Sequence, residues 1–356
     1  MLQEADVDPL DVARACEMIK SFADARQLSA IQDLYTETPP DLDPTGRLAD
    51  PIPAEIATAL RWTPATAQRR ADLAQDLAGD LRCVHDALGC GLIDLAKARE
   101  IANGTCELEP DIRRDIAREA CDYAARHTTG QLRAWLERRL ATIDPDAIRQ
   151  RRKKACARRR VWIQPESDGM ATFGAYITAE EAQACYNSIQ ALAANHEGSI
   201  DSARADQFVA LLTGTEVGTS IPVQVIVTAD GPELAGHGPL SADHATSLCE
   251  NAVRFTITSA PATPGYRPGV RLARWIRARD RHCRFPGCRR PAMACDLDHL
   301  TPYPAGATDE FNLACLCRYH HRLKTHTNWR VNRHPDRTLQ WTSPKGRVYF
   351  TFPGDP

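Results

Sequence analysis

The fold of the C-terminal part is decided by two stretches of sequence, CRFPGC (283–288) and FNLACLCRYHHRLKT (311–325). The first stretch places Cys283 and Cys288 on either side of a turn sequence, and the second contains Cys317 and His320 as a C-x-x-H pair. Two short pairs separated by about thirty residues are typical of a structural zinc site. The spacing therefore predicts a tetrahedral Cys₃His site for Zn²⁺.

The alternative interpretation is that these are ordinary buried cysteines, since a free cysteine packs like a small apolar residue. Zinc is favoured because two turn-like pairs rarely arise from core packing alone. A metal would also stabilise a module of about 75 residues, which has little hydrophobic core of its own. Cys295 and Cys315 fit neither pair and are predicted to be packing residues, with the alternative that one of them replaces an assigned ligand.

Two adjacent histidines in the second stretch predict two different sites. Neighbouring side chains on a helix point about 100° apart, so His320 and His321 cannot easily bind one metal ion. His320 is in register with Cys317 and is expected to face the zinc. His321 then faces the opposite side of the helix, where it could form a second site with Asp298 and His299.

The segment CDLDHLTPYPAG (295–306) adds groups that suit phosphodiester chemistry. Asp298 offers a hard carboxylate for a divalent cation, and His299 offers an imidazole that accepts a proton near neutral pH. Asn312 offers an amide that could hold the imidazole in one orientation. Each residue has an ordinary explanation on its own, since asparagine, for example, is common in turns. Their order inside a zinc-bound frame favours a catalytic site.

The pattern D-H…N…H, met at Asp298, His299, Asn312 and His321, resembles the HNH or ββα-metal nuclease family. The resemblance implies that His299 activates the attacking water and that Asn312 fixes this histidine. It also implies that Asp298 and His321 bind a catalytic Mg²⁺ or Mn²⁺, which would neutralise charge on the scissile phosphate. The expected cuts leave 3′-hydroxyl ends. His320 departs from the family pattern, because many HNH modules have a cysteine at that zinc position.

Segments along nearly the whole chain are similar to a bacterial family in which domain of unknown function 222 precedes an HNH module. The segments that carry this resemblance are ALRWTPATAQRR (59–70), GLIDLAKAREIA (91–102), RRVWIQPESDGMATF (159–173), RADQFVALLTG (204–214) and ARDRHCRFPGCRRPAMACDLDHL (278–300). The resemblance implies no activity for the N-terminal part.

The composition is typical of a globular protein in a reducing compartment. The chain has 356 residues, enough for about two domains. Its 13 cysteines are an odd number in a sequence that does not begin like a secretion signal, which favours reduced thiols or metal ligands over disulfides. No apolar stretch is long enough to span a membrane. We therefore expect a cytoplasmic protein without a membrane partner.

We expect an α+β protein with a mainly helical N-terminal domain, a small mixed segment and a C-terminal zinc-ribbed ββα-metal module. Capping residues and prolines mark helix starts up to about residue 159. The turn PESDG then predicts a β-hairpin, followed by helices at 179–195 and 201–213 and a strand at 222–227. The expected order is an N-terminal helix (1–37), a Pro-rich linker (38–53), a helical domain with a mixed second half (54–258), a linker (259–267) and an HNH nuclease domain (268–356).

Charge is distributed unevenly along the chain. Residues 1–60 contain 12 Asp/Glu against 4 Lys/Arg, whereas residues 267–330 contain 13 Lys/Arg against 5 Asp/Glu. A basic segment suits a phosphate backbone, although a solvated surface has the same composition. The residues predicted to contact phosphates of DNA, most simply double-stranded DNA, are Arg271, Arg274, Arg277 and Lys324.

Two further segments have both a nucleic-acid and an ordinary explanation. Residues 55–77 have the pattern of two short helices joined at Trp62-Thr63, which resembles a helix-turn-helix but is also common in helical domains. Residues 149–160, RQRRKKACARRR, contain eight basic residues, which suit either a solvated helix end or a nucleic-acid patch.

The sequence as a whole predicts an HNH endonuclease that hydrolyses phosphodiester bonds of DNA with a divalent metal and with His299 as general base. One alternative is a non-catalytic DNA-binding or regulatory protein that retains the zinc frame. A second alternative is an RNA nuclease, because a small phosphodiesterase site does not itself recognise the 2′-hydroxyl.

Overall fold

The structure, a computed structural model, describes residues 8–42, 48–143, 145–194, 198–215, 225–228, 231–235, 237–250 and 260–354. The chain divides into two compact units, and the C-terminal sequence contributes to both. The first unit contains Met1–Arg151, Arg284–Arg289 and Arg318–Phe352. The second unit contains Arg152–Cys283, Arg290–Cys317 and Pro353–Pro356.

The first unit begins with a run of helices interrupted by one small two-stranded hairpin. The helices are α1 (Pro9–Glu37), α2 (Ile52–Leu60), α3 (Pro64–Ala78), α4 (Arg82–Gly89), α5 (Leu95–Thr105), α6 (Pro110–Ala124), α7 (Thr129–Ile143) and α8 (Pro145–Ala157). Strands β1 (Asp41–Leu42) and β2 (Leu48–Ala49) pair antiparallel within the Pro-rich stretch that follows α1.

Local sequence explains where these helices start. The Thr63 side chain accepts a hydrogen bond from the Thr66 amide, and Pro64 occupies the first turn of α3, where its missing N–H costs nothing. Asp94 caps α5 in the same way, through the Lys97 amide. The two short helices predicted within residues 55–77 are therefore confirmed as α2 and α3.

The core of the first unit is formed by aliphatic side chains in helical spacing, together with many alanines. Leu132, Leu136 and Leu140 are buried along one face of α7, as their spacing predicts. Alanines such as Ala71 and Ala98 are fully buried, and their small side chains let neighbouring helices approach closely.

The second unit starts with the predicted β-hairpin. Strand β3 (Arg160–Pro165) pairs antiparallel with β4 (Ala171–Tyr176) across the PESDG turn. The elements that follow are α9 (Ala179–Ala193), α10 (Ile200–Thr213), β5 (Val225–Thr228), β6 (Gly231–Leu234), β7 (Gly238–Pro239) and α11 (Ala242–Leu248). Residues 222–224 of the predicted strand and Ser259 of the predicted linker lie outside the described residues.

The C-terminal sequence forms a helix, two antiparallel strands, a second helix and a three-stranded antiparallel sheet. These are α12 (Val270–Asp280), β8 (Cys295–His299), β9 (Leu313–Cys317), α13 (Arg318–His326), β10 (Arg330–Arg333), β11 (Leu339–Thr342) and β12 (Val348–Thr351). The protein is thus mainly helical with small sheets, and the α+β prediction is confirmed.

Contacts inside the first unit join its N-terminal helices to the turn between β11 and β12. The buried Ser343 hydroxyl donates a hydrogen bond to Glu55 on α2 at 2.8 Å, and Lys345 forms an ion pair with Glu37. A domain that begins at residue 268 and folds separately stays a prediction. No helix in the described part of the chain is both long and apolar enough to cross a membrane.

The predicted linker at 259–267 is held in place along its second half. The Thr263 amide donates to the Thr308 carbonyl at 2.9 Å, and the Thr263 hydroxyl accepts a hydrogen bond from the Gly269 amide at 3.0 Å. The first bond attaches the segment before α12 to the loop between β8 and β9, and the second holds Thr263 to the N-cap residue of α12.

Candidate metal centre and adjoining histidine site

The predicted Cys₃His cluster is present at the junction of β9 and α13. Cys283, Cys288, Cys317 and His320 are all buried, and one ligand atom from each lies within 4.8 Å of all the others. Four donors around a tetrahedral zinc, with Zn–S bonds of about 2.3 Å, require mutual distances of roughly 4 Å. Three thiols and an imidazole also have the softness that zinc prefers. The cluster therefore has the composition and size of a structural zinc site.

Backbone geometry explains how short sequence pairs converge at this point. The CRFPGC loop closes through the Cys288 amide, which donates to the Phe285 carbonyl at 3.1 Å, and through Gly287, whose φ of 71° suits glycine. Cys317 is the last residue of β9, and His320 lies in the first turn of α13. The Cys317 amide also donates to the Cys283 sulfur at 3.3 Å.

Aromatic side chains shield the cluster on one side. The Phe285 ring stacks on His320 with 3.9 Å between ring centroids and only 10° between ring planes. Trp329 and Trp341 pack edge-on against Phe285 and are themselves buried. The Trp341 indole donates to the Arg284 carbonyl at 2.9 Å, which ties the sheet β10–β12 to the loop that carries two of the cysteines.

The two remaining C-terminal cysteines lie outside the cluster. Cys295 stands opposite Cys317 in the β8–β9 pair, but its thiol donates to the carbonyl of Pro291 at 3.4 Å. Cys315 is fully buried on β9. Burial, followed by the charge of Asp280, raises the pKa of the Cys315 thiol well above its usual value, so this residue is a neutral packing group.

His299 is buried at the end of β8, and its ring has a defined orientation. Its Nε2 lies 2.8 Å from the hydroxyl oxygen of Thr308, which is also buried. The Thr308 hydroxyl donates its single proton to the Gly265 carbonyl at 2.6 Å. The Thr308 oxygen must therefore accept a hydrogen bond from Nε2–H of His299, and Nδ1 holds the lone pair when the ring is neutral.

Asn312 binds the loop that follows His299. Its Nδ2 donates to the carbonyls of Thr301 and Ala307, both at 2.9 Å, and its Oδ1 accepts from the Thr301 amide at 2.8 Å. Gly306 lies directly over this amide, since a Cβ atom at that position would be 2.3 Å from Asn312 Nδ2. The hydrogen bonds of the Asn312 side chain thus fix the 301–307 loop, while the bond to the His299 ring comes from Thr308.

The two remaining residues of the predicted catalytic site are Asp298, on β8, and His321, on α13. Asp298 is buried on β8 opposite Ala314 of β9, and β9 leads directly into α13. His321 is partly buried on α13 and stands outside the Cys₃His cluster, as its position next to His320 predicts.

A buried ion pair on α12 forms hydrogen bonds with the backbone of β9. Asp280, at the end of α12, is fully buried, and its two oxygens accept hydrogen bonds from Arg279 at 2.7 and 3.0 Å. Asp280 also accepts from the Cys315 amide at 2.8 Å, and Arg279 donates to the Leu313 carbonyl at 2.8 Å. Because each charge is paired and hydrogen-bonded, the pair fixes the strand beside His299.

Two tyrosines lie near the His299 ring at the surface. Tyr266 stacks on it with ring centroids 5.1 Å apart, and the Tyr303 ring is 6.0 Å away. Both tyrosines are exposed. Neither these tyrosines nor Thr308 was singled out by the sequence, because their proximity to His299 depends on how the segment before α12 folds back.

The predicted phosphate-contacting residues differ in exposure. Arg271 and Arg274 are exposed on α12, whereas Arg277 and Lys324 are partly buried. Leu272 and Ile276, on the opposite face of α12, are buried. Within the basic run at 149–160, two arginines pair with glutamates of α9, and these pairs are Arg152–Glu180 and Arg159–Glu181. Contact with nucleic acid by any of these residues stays a prediction.

The features above define a mainly helical protein whose C-terminal sequence carries a Cys₃His cluster able to bind a metal. Residues 17–208 match the family described as "Domain of unknown function (DUF222)". Because the match includes more than half of the chain, the chain belongs to this family.

The similar proteins are all described as uncharacterized. In Mycobacterium tuberculosis (strain ATCC 25618 / H37Rv), uncharacterized protein Rv3776 is 54% identical over 91 residues, which is 25% of this chain and 18% of that protein. Uncharacterized protein Rv2100 of the same strain is 53% identical over 94 residues, 26% of this chain and 17% of that protein. Uncharacterized protein Rv1128c is 24% identical over 282 residues, 65% of this chain and 60% of that protein.

The chain thus spans less than a fifth of the length of the first two relatives. No solved structure matches the chain significantly.

Proposed function

We propose that this protein is a metal-dependent endonuclease of the HNH type, which hydrolyses phosphodiester bonds of DNA with His299 as general base. The proposal accounts for two adjacent histidines with different surroundings. His320 would bind a structural zinc with the three cysteines, and His321 would belong to the catalytic site on the other face of the helix.

The observation that carries the proposal is the orientation of His299. The Thr308 hydroxyl accepts the Nε2 proton, so the lone pair of the neutral ring is on Nδ1. A histidine held in one tautomer can act as a general base without first reorienting. In the proposed step, Nδ1 takes a proton from a water molecule whose oxygen attacks phosphorus. The bond from phosphorus to the 3′ oxygen breaks, the departing oxygen takes a proton from solvent water, and the products are a 3′-hydroxyl and a 5′-phosphate.

Asp298 and His321 would hold the catalytic Mg²⁺ or Mn²⁺. A carboxylate and an imidazole are suitable ligands for these ions, which keep open positions for water and substrate oxygens. When bound, such an ion supplies charge neutralisation at the scissile phosphate and the departing oxygen. Asn312 would act through the 301–307 loop, which it fixes directly after His299.

The first test is incubation of the purified protein with supercoiled plasmid and with RNA, in Mg²⁺, in Mn²⁺ and in chelator. We expect nicked and linear plasmid in either metal and intact plasmid in chelator. Cleavage of RNA alone would favour the RNA nuclease. DNA binding without cleavage in every metal would favour the non-catalytic DNA-binding protein.

Variants at the histidine test the assignment of the general base. His299→Ala should lower the cleavage rate by a factor of about 10²–10⁴ while leaving the zinc content unchanged. Thr308→Val, which cannot accept the Nε2 proton, should lower kcat with little change in KM, and Thr308→Ser should restore most of the rate. The proposal is wrong if His299→Ala cleaves plasmid like the parent, or if Thr308→Ser is as slow as Thr308→Val.

A further inference from the structure

Two tyrosine side chains lie beside the His299 ring in the second unit. The Tyr266 ring stacks on the imidazole with 5.1 Å between ring centroids and 22° between ring planes, and the Tyr303 ring lies 6.0 Å from the imidazole. The two tyrosine rings meet edge to face, with centroids 6.0 Å apart and 71° between their planes. The three rings therefore form one aromatic cluster around the histidine of the proposed catalytic site.

The tyrosine pair exposes aromatic surface to solvent. Tyr266 is 61% exposed and Tyr303 is 43% exposed, whereas His299 is 4% exposed. An aromatic ring has two faces, and Tyr266 uses one of them against His299. Its other face is open to a flat partner, which would stack on the ring in an offset or edge-on arrangement. The pair thus has the form of a stacking surface next to the general base.

Backbone hydrogen bonds fix the segments that carry the two tyrosines. The carbonyl of Gly265, the residue before Tyr266, accepts the Thr308 hydroxyl at 2.6 Å. Tyr303 lies in the 301–307 loop, whose first and last residues both bind the Asn312 side chain. A ligand that stacks on these rings would therefore not have to order the backbone that carries them, which lowers the entropic cost of binding.

Exposed arginines follow Tyr266 closely along the chain. Arg267 is the next residue and is exposed, and Arg271 and Arg274 are exposed on α12. A combination of aromatic rings and positive charge is typical of surfaces that bind single-stranded nucleic acid, because bases stack on the rings and the cations contact the phosphates. The charge of this segment is complementary to that of a phosphodiester strand.

We propose that Tyr266 and Tyr303 bind the base of an unpaired nucleotide in the DNA strand that is cleaved. The inference rests on the proposed nuclease function and names its substrate class, which is DNA with an unpaired nucleotide beside the scissile phosphate. Because Tyr266 stacks on the general base, a nucleobase stacked on Tyr266 belongs to a nucleotide near the reacting phosphorus. In a duplex both faces of each base are covered by its neighbours, so a base reaches the rings only after it leaves the helix. A single strand is therefore cleaved faster than a fully paired duplex.

The first experiment measures binding without cleavage. The full-length protein, without added Mg²⁺ or Mn²⁺, is titrated into two labelled strands of equal length and charge, oligo(dT) and a deoxyribose-phosphate strand that lacks bases, and Kd is measured by fluorescence anisotropy. Stacking of one base contributes about 1–3 kcal/mol, which is about 5- to 150-fold in Kd. We expect the parent to prefer oligo(dT) by about that factor and Tyr266→Leu to lose most of the preference. Tyr266→Phe retains an aromatic ring and should retain the preference.

The matched control is Tyr186→Leu on α9. Tyr186 is another exposed tyrosine of the second unit, and the Arg204 guanidinium lies 5.7 Å from its ring centroid, so it also combines an aromatic ring with an arginine. The control variant should keep the preference for oligo(dT), because the rings beside His299 are unchanged. A loss of preference as large as that of Tyr266→Leu would contradict the assignment to the tyrosine pair.

The second experiment separates base binding from a role in covering His299. Cleavage rates in Mg²⁺ are measured on a single strand and on the fully paired duplex that contains the same strand. The parent should cleave the single strand faster, and Tyr266→Leu should reduce the ratio of the two rates. If Tyr266 only covers the His299 ring, Tyr266→Leu lowers both rates by the same factor and the ratio stays unchanged.

Three results would overturn the base-binding site. They are equal affinity of the parent for the two strands, a preference for oligo(dT) that Tyr266→Leu retains, and a ratio of cleavage rates that Tyr266→Leu leaves unchanged. Tyr303→Leu decides the question in the same assays if Tyr266→Leu fails to fold. A parent that cleaves no DNA refutes the nuclease proposal, and the binding experiment then still decides whether the tyrosine pair recognises a base, so the two proposals fail separately.

Discussion

Removal of one thiol from the Cys₃His cluster tests the structural zinc most directly. Cys288→Ser replaces a buried ligand that lies within 4.8 Å of the other three donors. The matched control is Cys295→Ser, because Cys295 is also buried and stands opposite Cys317 in the same strand pair, yet it lies outside the cluster. We expect about one zinc per chain in the parent and in the control, and substantially less in Cys288→Ser.

The magnitude follows from the size of the ordered loop. Ordering the six residues of 283–288 costs about 6–12 kcal/mol at about 1–2 kcal/mol per residue. Structural zinc contributes an apparent free energy of about 10–16 kcal/mol in small zinc modules. The two quantities are of similar size, so loss of zinc leaves this loop without enough free energy to stay ordered.

Structural loss can be followed by fluorescence as well as by metal analysis. The buried Trp329 and Trp341 surround Phe285, which stacks on His320. Their emission should shift to longer wavelength when Cys288→Ser, His320→Ala or a chelator removes the zinc. His321→Ala should keep both zinc and emission. The reasoning is refuted if Cys288→Ser retains one zinc per chain, or if Cys295→Ser loses zinc to the same extent.

Two further predictions concern the loop after β8 and the helical unit. Gly306→Ala should displace the Asn312 amide, weaken its hydrogen bonds of about 0.5–1.5 kcal/mol each and lower the cleavage rate. The control is Gly130→Ala, which has open space around the added Cβ and should leave the cleavage rate unchanged. Equal cleavage rates in the two variants would contradict the role of Asn312 in fixing the 301–307 loop. Burial, followed by the charge of Cys83, raises the pKa of the Cys121 thiol to about 12. Because the unfolded chain loses this proton near the ordinary value of about 9, the free energy of unfolding should fall as the pH rises from about 9 toward 12. Cys121→Ala should flatten that decline in thermal melts, and an unchanged profile would contradict it.

Much of the fold could be predicted from local sequence because the signals are local. The cap at Thr63, the PESDG turn and the leucine spacing of α7 each involve residues within one turn or one hairpin. The metal cluster could be predicted for a similar reason. Each half of the ligand set is a short pair whose geometry a turn or a helix fixes, so only the meeting of the two halves required the tertiary structure.

The details of the histidine site could not be predicted in the same way. The sequence indicated His299 and suggested Asn312 as the residue that orients it, whereas the hydrogen bond to the ring comes from Thr308. Thr308 is in turn bound to Gly265, which is 43 residues away along the chain. A threonine in a polar loop has no local pattern that indicates such a contact.

The sequence by itself determined which residues can bind a metal and where the helices begin, since donor spacing, caps and apolar period act over a few residues. Only the tertiary structure decided which ring nitrogen of His299 holds the proton and which arginines of the helical unit have carboxylate partners. Arg99 and Arg133 are indistinguishable as sequence, yet Arg133 pairs with Glu100 at 2.8 Å, whereas the buried Nε of Arg99 has no hydrogen-bond partner among the described residues. The physical reason is that charge pairing depends on the packing of helices distant in sequence.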